Sequence, residues 1–355
     1  MVAGGTGGHI YPALQLAKAL EKDNDIVFFG NESRLESTLV PEAGFDFRPI
    51  ETIAFSGGLL RRINSVILLY DAYKEMIRQL KIIKPDIVIG FGNYVSVPVV
   101  MAAVKLKIKT MIHEQNRLVG SANKFLSKRV DCVVCSFKEN LRVFPKDKTV
   151  FLGNPRSSAF RGVKVKRDIL VKYGLQANQT TILICMGSLG SLTVNKFMIE
   201  ALKRLAETSI QVIYVTGREY YEEFRARFEE TERIKLVDFV DMVELLPNVD
   251  LLIARAGATT IAEISALGVA SILIPSPYVP NDHQYHNAKD LVDKNAAVLM
   301  AEEDLEVDDF IESLEKLLKD STQLKVLANN AKKLGNLKAC DDIIKQINRV
   351  VNDGS

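Results

Sequence analysis

The sequence has little net charge, few cysteines and no long apolar run, and each shortage excludes a class of protein. The 355 residues carry 46 Lys and Arg against 44 Asp and Glu, and this net charge of +2 is too balanced for a protein that wraps nucleic acid. Four cysteines in a chain of this length form no disulfide framework, which favours a reducing cytoplasm. No stretch of about 18 residues is free of polar or helix-breaking residues, and the N-terminus lacks the form of a signal peptide. We therefore expect any membrane contact to be peripheral.

What the sequence does contain is typical of a soluble globular protein. Apolar residues make up 47% of the chain and charged residues 25%, which argues against disordered, collagen-like and coiled-coil proteins. At roughly 150 residues per domain, the length predicts two domains. The charge is uneven, since residues 1–153 carry a net +6 and residues 154–355 a net −4. The first half is therefore the one suited to an anionic surface.

Short apolar strands alternate with helical patterns, which predicts an α/β fold of parallel strands covered on both faces. The predicted strands are DIVFF 25–29, DIVIG 86–90, KTMIH 109–113, DCVVC 131–135, TILIC 181–185, IQVIYV 210–215, DLLIA 250–254 and ASILIP 270–275. Each half opens with a glycine-rich stretch before a helix, so we expect two Rossmann-like doubly wound domains facing each other across a cleft. The polar stretch 153–167 is predicted to join the two domains, which we place at residues 1–153 and 154–336. An amphipathic helix at 337–351 is expected to pack back on the first domain.

The first glycine-rich stretch has almost no strand before it. Only Met1 and Val2 precede Ala3 and Gly4, whereas a doubly wound domain feeds such a loop from a central strand of about five residues. We expect either a stub in place of that strand or a start of translation further upstream, and we favour the second.

The sharpest motif is GGTGGH at residues 4–9. Its glycines allow positive φ angles and close approach to backbone N–H groups, and the helix that follows points its positive end at the same place. The pattern matches neither G-x-G-x-x-G nor a P-loop, which weakens a dinucleotide or ATP interpretation. His9, at the mouth of this loop, is a candidate base for a hydroxyl nucleophile. The alternatives are a tight turn without a ligand and a structural histidine.

A second group of motifs lies in the second half. Arg255 follows a buried strand and opens a helix that Thr259 or Thr260 is expected to cap, with exposed amides able to hold a diphosphate. Glu263, one turn further on, suits both hydroxyls of a ribose, although a solvated helix-face glutamate is the alternative. The turn with Gly187, Ser188 and Gly190 is a second phosphate-sized site, and Arg156 in the seam is a cation for a leaving diphosphate.

Three polar patterns have weaker interpretations. Cys132 and Cys135 spell C-x-x-C, but they lie in a predicted buried strand without a second ligand pair, so zinc or redox chemistry is disfavoured. His283 and His286 have the i, i+3 spacing of a metal pair, yet sugar binding by the neighbouring Gln284 is the better interpretation. In HEQN 113–116, Glu114 is a reserve base.

A third feature is an apolar and basic surface of the first half. Leu59 and Leu60 stand beside Arg61 and Arg62 in a glycine-hinged loop ahead of an apolar helix, and Lys105, Lys107 and Lys109 follow. Such a surface suits anionic lipid headgroups. An ordinary core helix with solvated lysines is the alternative.

Taken together, these motifs resemble the MurG family of bacterial N-acetylglucosaminyltransferases, within glycosyltransferase family 28. The resemblance covers nearly the whole chain through GGTGGHIYPALQLA, FGNYVSVPVVMAA, HEQN, GNPR, MGSLGS, RAGATTIAEISALGVASILIP and HQYHNA. It implies a two-domain GT-B fold without a cofactor, a first domain that meets acceptor and membrane, and a second that binds the donor. It also implies transfer of N-acetylglucosamine from UDP-N-acetylglucosamine to the 4-hydroxyl of the muramoyl sugar of lipid I, giving lipid II for peptidoglycan at the cytoplasmic face of the plasma membrane.

The resemblance also implies site residues. His9 is its candidate base, with Glu114 in reserve, and the residues implied in donor binding are Thr6, Gly7, Gly8, Asn116, Arg156, Ser188, Val240, Ala258, Thr259, Thr260, Ile261, Ala262, Glu263 and Gln284. The sequence departs from the family pattern at two points. Some relatives have the arginine one residue later than Arg156, and the N-terminal strand is shorter here than in the family.

Three other functions stay open on the sequence. A related transferase would glycosylate diacylglycerol, and a UDP-sugar 2-epimerase would share the architecture while needing further carboxylates at the sugar. A non-catalytic nucleotide-binding module would bind UDP without turnover. Transfer of N-acetylglucosamine to lipid I, the main hypothesis, requires a single displacement that inverts the α linkage to β through an oxocarbenium-like transition state.

Overall fold

The structure, a computed structural model, describes residues 1–52, 59–187 and 190–352, without the side chains of residues 59–64. The chain divides into two compact units, the first made of Met1–Ala159 with Asn336–Ser355 and the second of Phe160–Gly335. The first boundary lies six residues beyond the one expected from the sequence. Residues 154–159 belong to the first unit, where Ser158 Oγ accepts a hydrogen bond from the N–H of Cys340 at 3.0 Å.

The first unit is built on parallel strands flanked by helices. Its strands are β1 (Val27–Gly30), β2 (Asp46–Pro49), β3 (Ile87–Gly90), β4 (Lys109–Glu114), β5 (Cys132–Cys135) and β6 (Thr149–Phe151). Its helices are α1 (Gly7–Leu20), α2 (Glu36–Glu42), α3 (Leu59–Ile83), α4 (Ser96–Lys105), α5 (Ser121–Leu126) and α14 (Ala339–Asn352). Strands β1 and β2 form one ladder and β3 to β6 another, all parallel.

A very short segment joins the two ladders of the first unit. Val2 forms isolated parallel bridges to Phe29 and to Gly90, and its N–H donates to Ile89 O at 2.9 Å. The segment thus occupies the central position, and the spatial order becomes β2, β1, Val2, β3, β4, β5, β6. Met1 and Val2 therefore occupy the position of the central strand that leads into the first glycine-rich stretch.

The second unit repeats the plan with a complete sheet. Its strands are β7 (Thr181–Cys185), β8 (Gln211–Val215), β9 (Ile234–Val237), β10 (Leu251–Ala254), β11 (Ser271–Leu273) and β12 (Val298–Leu299). Its helices are α6 (Ile169–Lys172), α7 (Leu192–Ala206), α8 (Tyr221–Arg225), α9 (Met242–Leu245), α10 (Ala258–Leu267), α11 (His283–Val292), α12 (Val307–Lys319) and α13 (Ser321–Lys332). The parallel order β12, β11, β10, β7, β8, β9 is the 3-2-1-4-5-6 order of a doubly wound dinucleotide-binding fold.

The apolar faces of the helices cover both sheets. In the second unit, Tyr214, Ile253 and Phe310 belong to one buried cluster. In the first unit, the last helix, α14, contributes Cys340, Ile343 and Ile347 to the cluster that holds Ile10 and Phe28. The amphipathic pattern near the C-terminus therefore packs on the first unit.

This strand order determines where a ligand can bind in each unit. In an open parallel sheet the ligand site lies outside the carboxyl ends of the strands, where the order of strands reverses. In the second unit that point lies between β7 and β10, and in the first unit between the Val2 segment and β3. The first glycine-rich stretch follows the Val2 segment, and the second follows β7. Within the described residues, no helix combines the length and the apolar character needed to cross a bilayer.

Candidate active site

The first glycine loop, residues 4–6, follows the Val2 segment at the switch point of the first unit and leads into α1 at Gly7. Gly5 has φ +87°, a conformation that favours glycine, and a Cβ there would collide with the Asn93 side chain. Asn93 lies just beyond β3 with φ +65°, and its Nδ2 donates to Gly4 O at 3.1 Å. This hydrogen bond therefore links the loop that follows the Val2 segment to the residue that follows β3.

A buried carboxylate holds the same loop from the other side. Glu36 at the start of α2 is 1% exposed. Its Oε2 accepts from the N–H of Gly5 at 3.0 Å and its Oε1 from the N–H of Asn31 at 2.9 Å. The loop after β1 and the first glycine loop thus share one anchor.

His9 lies in the first turn of α1, half-buried, and is oriented by two neighbours. Its Nδ1 lies 3.1 Å from Thr6 Oγ1, and Thr6 is the extended residue that precedes the helix. A Cβ on Gly92, whose φ is +88°, would lie 3.2 Å from His9 Cδ2 and 3.4 Å from its Nε2. The glycine therefore leaves room for the imidazole beside the end of β3.

The HEQN segment ends β4 and is mostly buried. Glu114 is 2% exposed; its Oε1 accepts from the N–H of Asn116 at 3.0 Å, and its Oε2 accepts from the N–H of Gly120 at 3.1 Å and from Asn123 Nδ2 at 2.9 Å. Burial raises the pKa of this carboxyl group. Burial also lowers the pKa of His113 to about 4. This arrangement suits a carboxyl group that holds the loop before α5.

Arg156 belongs to the first unit, in the helical turn Pro155–Phe160. Its backbone N–H donates to Asn154 Oδ1 at 3.0 Å, and its guanidinium carbon lies 5.6 Å from the centre of the Tyr11 ring on α1. The sequence had placed this arginine in the second domain. The structure places it beside the helix that carries His9.

The second glycine loop, residues 187–191, follows β7 at the switch point of the second unit. Gly187 has φ +92° and Gly190 has φ +74°, and the N–H of Gly190 donates to Gly187 O at 3.1 Å. A Cβ on Gly190 would collide with the backbone oxygen of Thr216. Ser188, the predicted diphosphate contact in this loop, lies outside the described residues.

An arginine holds the end of this second loop. The Nη2 of Arg255 donates to Oγ of Ser191, the residue that precedes α7, at 2.7 Å. Its Nη1 donates to Ile274 O at 3.1 Å and lies 2.5 Å from Glu302 Oε2, with both charged side chains 8% exposed. Thr193 Oγ1 also donates to Glu302. A buried ion pair thus joins the ends of β10 and β11 to the start of α7.

Helix α10 begins directly after the strand adjacent to β7. Gly257 is the residue preceding the helix, with no side-chain cap, so the prediction that Thr259 or Thr260 caps it is wrong. The helix starts at Ala258 because Gly257 already has the extended conformation of a cap, with φ −65° and ψ 148°. The first amides of a helix have no partner within it, which suits an anion here. Glu263 lies one turn further on and is 4% exposed, with Ile261 and Ala262 also buried.

Two further predicted donor residues lie in the second unit. Gln284 Oε1 in α11 accepts from the N–H of Ser276 at 2.9 Å, which fixes the loop after β11. Val240 is 5% exposed and lies between β9 and α9, next to Phe239, whose ring is 5.0 Å from the Arg218 guanidinium carbon. On α11, Asn287 is fully buried and its Nδ2 donates to Ala256 O at 3.1 Å, which holds the segment before α10.

The basic and apolar patch of the first half is described only in part. The side chains of Leu59, Leu60, Arg61 and Arg62 lie outside the described residues. The four positions form the start of α3, so the prediction that they lie in a loop ahead of the helix is wrong. Further along α3, Val66, Ile67 and Tyr70 are each more than half exposed. Lys74 Nζ lies 4.2 Å from the centre of the Tyr70 ring, while Lys105 and Lys107 are exposed at the end of α4.

Neither weak metal pattern forms a centre in the described part of the chain, where no three His, Cys, Asp or Glu side chains gather as metal ligands. The Nδ1 of His283 lies 3.0 Å from Pro280 O. Burial raises the pKa of the Cys132 thiol to about 11 and that of Cys135 to about 12. Both thiols therefore keep their protons at neutral pH, which disfavours thiolate chemistry.

Comparison with known proteins shows which family the chain belongs to. Residues 1–135 match the glycosyltransferase family 28 N-terminal domain, and residues 181–347 match the C-terminal domain of the same family. The chain belongs to glycosyltransferase family 28. It is 41% identical over 98% of both chains to a Lactiplantibacillus plantarum protein named UDP-N-acetylglucosamine--N-acetylmuramyl-(pentapeptide) pyrophosphoryl-undecaprenol N-acetylglucosamine transferase.

Solved structures agree with the family 28 assignment. The Acinetobacter baumannii MurG crystal structure matches 98% of both chains with a TM-score of 0.79 and 28% identity. The Staphylococcus aureus MnaA–UDP structure, at 14% identity and a TM-score of 0.72, covers 99% of this chain and 96% of its own and shows a shared fold. The prediction of two Rossmann-like units of the GT-B kind is confirmed.

Sequence reasoning about this family 28 chain missed the residues that hold its loops. Glu36, Asn93 and Glu302 were not predicted, and Arg255 was noted only as the start of a motif. The one local signal for Asn93 is the Gly-Asn pair after a buried strand, typical of positive φ angles. Glu36 and Glu302 have no local signal, because Gly5, which Glu36 holds, and Arg255 and Thr193, which contact Glu302, are distant from them in the sequence.

Proposed function

We propose that this chain transfers N-acetylglucosamine from UDP-N-acetylglucosamine to the lipid-linked muramoyl pentapeptide acceptor lipid I, forming lipid II. The observation that carries the proposal is the 41% identity over 98% of the chain to a relative whose name states that reaction. The glycine loops and the start of α10 at the two switch points support it, since these are the places where a nucleotide-type unit meets its ligand.

The donor is proposed to bind the second unit. The amides of Ala258, Thr259 and Thr260 attract the diphosphate through hydrogen bonds and the positive end of α10. Glu263 accepts hydrogen bonds from the ribose hydroxyls, and a backbone group at Val240 reads the uracil. Gln284 contacts the sugar, and Ser188 contacts the diphosphate. This helix end stabilises charge on the departing UDP, which is the electrostatic role that lowers the barrier.

The acceptor hydroxyl is proposed to lose its proton to His9. A neutral imidazole that accepts a proton at Nε2 must carry its own proton on Nδ1, and Thr6 Oγ1 at 3.1 Å is placed to accept that N–H. The resulting alkoxide-like oxygen attacks the anomeric carbon as the bond to UDP breaks, which inverts the α linkage to β. Gly7 and Gly8 amides at the start of α1, together with Asn116 and Arg156, are proposed donor contacts.

Glu114 receives a different role in this proposal from that of a base. Its two oxygens accept hydrogen bonds from two backbone amides of the loop that follows β4 and from the Asn123 side chain on α5, and the Glu114 side chain is 2% exposed. A carboxyl group so placed positions Asn116 and the start of α5. We therefore assign proton transfer to His9 alone.

The acceptor's lipid is proposed to bring the first unit to an anionic membrane at its cytoplasmic face. Val66, Ile67 and Tyr70 on α3 present exposed apolar surface. Lys105 and Lys107 are exposed on the same unit, which carries the positive share of the charge. Apolar side chains enter the headgroup region while the lysines meet its negative surface.

A turnover assay tests the proposed function. The full chain is incubated with UDP-N-acetylglucosamine and a short-chain lipid I analogue, and we expect release of UDP together with a β-linked disaccharide. Diacylglycerol replaces the acceptor in a parallel reaction and should give no product. Glycosylated diacylglycerol, a 2-epimerised nucleotide sugar, or UDP binding without turnover would each contradict the proposal.

A further inference from the structure

The carboxylate of Glu36 is the anchor of the first glycine loop. It is 1% exposed, and it accepts from the amides of Gly5 at 3.0 Å and Asn31 at 2.9 Å. Among the described side chains, no Lys or Arg pairs with it. A carboxylate so buried is costly unless it is hydrogen-bonded, so the two amides are the groups that hold it in place.

The loop and this carboxylate are shaped for each other. A Cβ on Gly4 would collide with the Glu36 carboxylate, and one on Gly30 would lie 2.6 Å from Glu36 Cγ. Glycines at both positions therefore make room for the side chain. The bond to Gly5 holds that residue where its φ is +87°, which turns the chain into α1.

The path from this anchor to His9 is short. Gly5 is followed by Thr6, which takes the extended conformation (φ −145°, ψ 157°) at the start of the helix. Thr6 O accepts from the N–H of His9 at 3.0 Å, while Thr6 Oγ1 lies 3.1 Å from His9 Nδ1. A shift of Gly5 therefore moves the partner that selects the His9 tautomer.

We propose that Glu36 is a positioning residue, which acts through Gly5 and Thr6 to hold the His9 imidazole in the orientation and tautomer used for proton transfer. The proposal rests on the proposed function for the role of His9. It makes a buried carboxylate, remote from the reacting atoms, a determinant of the rate of the chemical step.

The first test replaces Glu36 by Gln in the full chain. An amide has one acceptor oxygen and presents an N–H donor to the second backbone amide, so at least one of the two bonds is lost. We expect kcat at saturating substrates to fall about tenfold or more, the size of effect that follows from losing a hydrogen bond to a charged group. The KM for UDP-N-acetylglucosamine should stay within about twofold.

Two variants serve as controls for this test. Glu42→Gln, at the exposed end of the same helix, removes a charge without touching the loop and should keep wild-type rates. Glu36→Asp keeps a carboxylate and should retain more activity than Glu36→Gln. Because Asp can still accept from either amide, this variant also tests the proposal if the Gln variant does not fold.

A second measurement is independent of turnover. Nitrogen-15 NMR of the His9 ring should show a changed population of the Nδ1–H tautomer in Glu36→Gln, and the Gly5 amide should exchange with solvent faster. A merely structural role would lower the melting temperature and leave kcat of the folded enzyme unchanged. Wild-type kcat, or an unchanged His9 signal together with an unchanged Gly5 exchange rate, would overturn the proposal. Absence of turnover in the wild type would instead contradict the proposed function, while the NMR comparison would still test the positioning role.

Discussion

The two units place a glycine loop at the same point of the same strand order, yet they hold it with side chains of opposite charge. In the first unit the carboxylate of Glu36 accepts from the amide of Gly5. In the second unit the guanidinium of Arg255 donates to Ser191 Oγ, and Glu302 balances its charge. Both units share the local pattern of a glycine turn ahead of a helix, but they differ in the side chains that form hydrogen bonds to the turn.

This difference bears on which ligand each loop receives. An anion of the protein already occupies the Gly5 amide, and its charge opposes a diphosphate at that position. In the second unit the start of α10 has no side-chain cap, as at α1, and the charge of the neighbouring Arg255 is balanced by Glu302. Under the proposed function the nucleotide binds mainly to the second unit and His9 of the first unit accepts the proton, and four predictions test this comparison of the two units.

The largest expected effect is that of His9→Ala on the chemical step. If His9 is the base, its loss should lower kcat by about 10² to 10⁴ while UDP affinity changes little, because most of the proposed UDP contacts lie in the second unit. Steady-state kinetics and calorimetric UDP titration measure the two quantities. More than half of the wild-type rate in this variant would dismiss His9 as the base.

Arg255→Met should have the largest effect on stability. It leaves Glu302 buried without its cation, so the free energy of unfolding should fall by about 3–5 kcal/mol. Urea denaturation measures the change. The control is Arg204→Met, which breaks an exposed ion pair with Asp308 and should cost less than about 1 kcal/mol. Equal losses of unfolding free energy in the two variants would mean that burial of the Arg255–Glu302 pair does not increase its contribution to stability.

Glu263→Gln should weaken UDP binding by about tenfold to a hundredfold, because it removes a charged acceptor for the ribose hydroxyls. The rate at saturating donor should change by less than about threefold. Glu207→Gln, at the exposed end of α7, is the matched control. If the wild type binds UDP and a ribose-lacking analogue with equal affinity, the assignment of Glu263 is wrong.

The smallest expected effect concerns the membrane. Replacing Lys105 and Lys107 by Gln should lower binding to anionic vesicles about thirtyfold at low salt, because each lysine near the surface contributes about 1 kcal/mol. The same change at Lys164 and Lys166, exposed and equally spaced in the second unit, should have little effect. A vesicle co-sedimentation assay compares the variants. Similar losses from both pairs would show that net charge, and not a surface of the first unit, governs binding.

Local patterns in the sequence predicted much of this molecule. The apolar runs gave strands such as β4, β7 and β10 because the core of a parallel sheet is buried on both faces. The glycine motifs marked both loops, since positive φ angles at Gly5 and Gly187 depend on the residue itself. The start of α10 was placed less well, because Gly257 takes the cap position that the threonines were expected to fill.

The sequence by itself determined the α/β class, the two glycine loops and the family, because periodicity and backbone preference act over a few neighbouring residues. Only the tertiary structure decided how the loops are held and where Arg156 lies. Glu36 meets Gly5 across 31 positions and Arg255 meets Ser191 across 64. Such pairs form only after the sheets have assembled, because a buried charge takes whatever partner the packed fold brings within hydrogen-bonding distance.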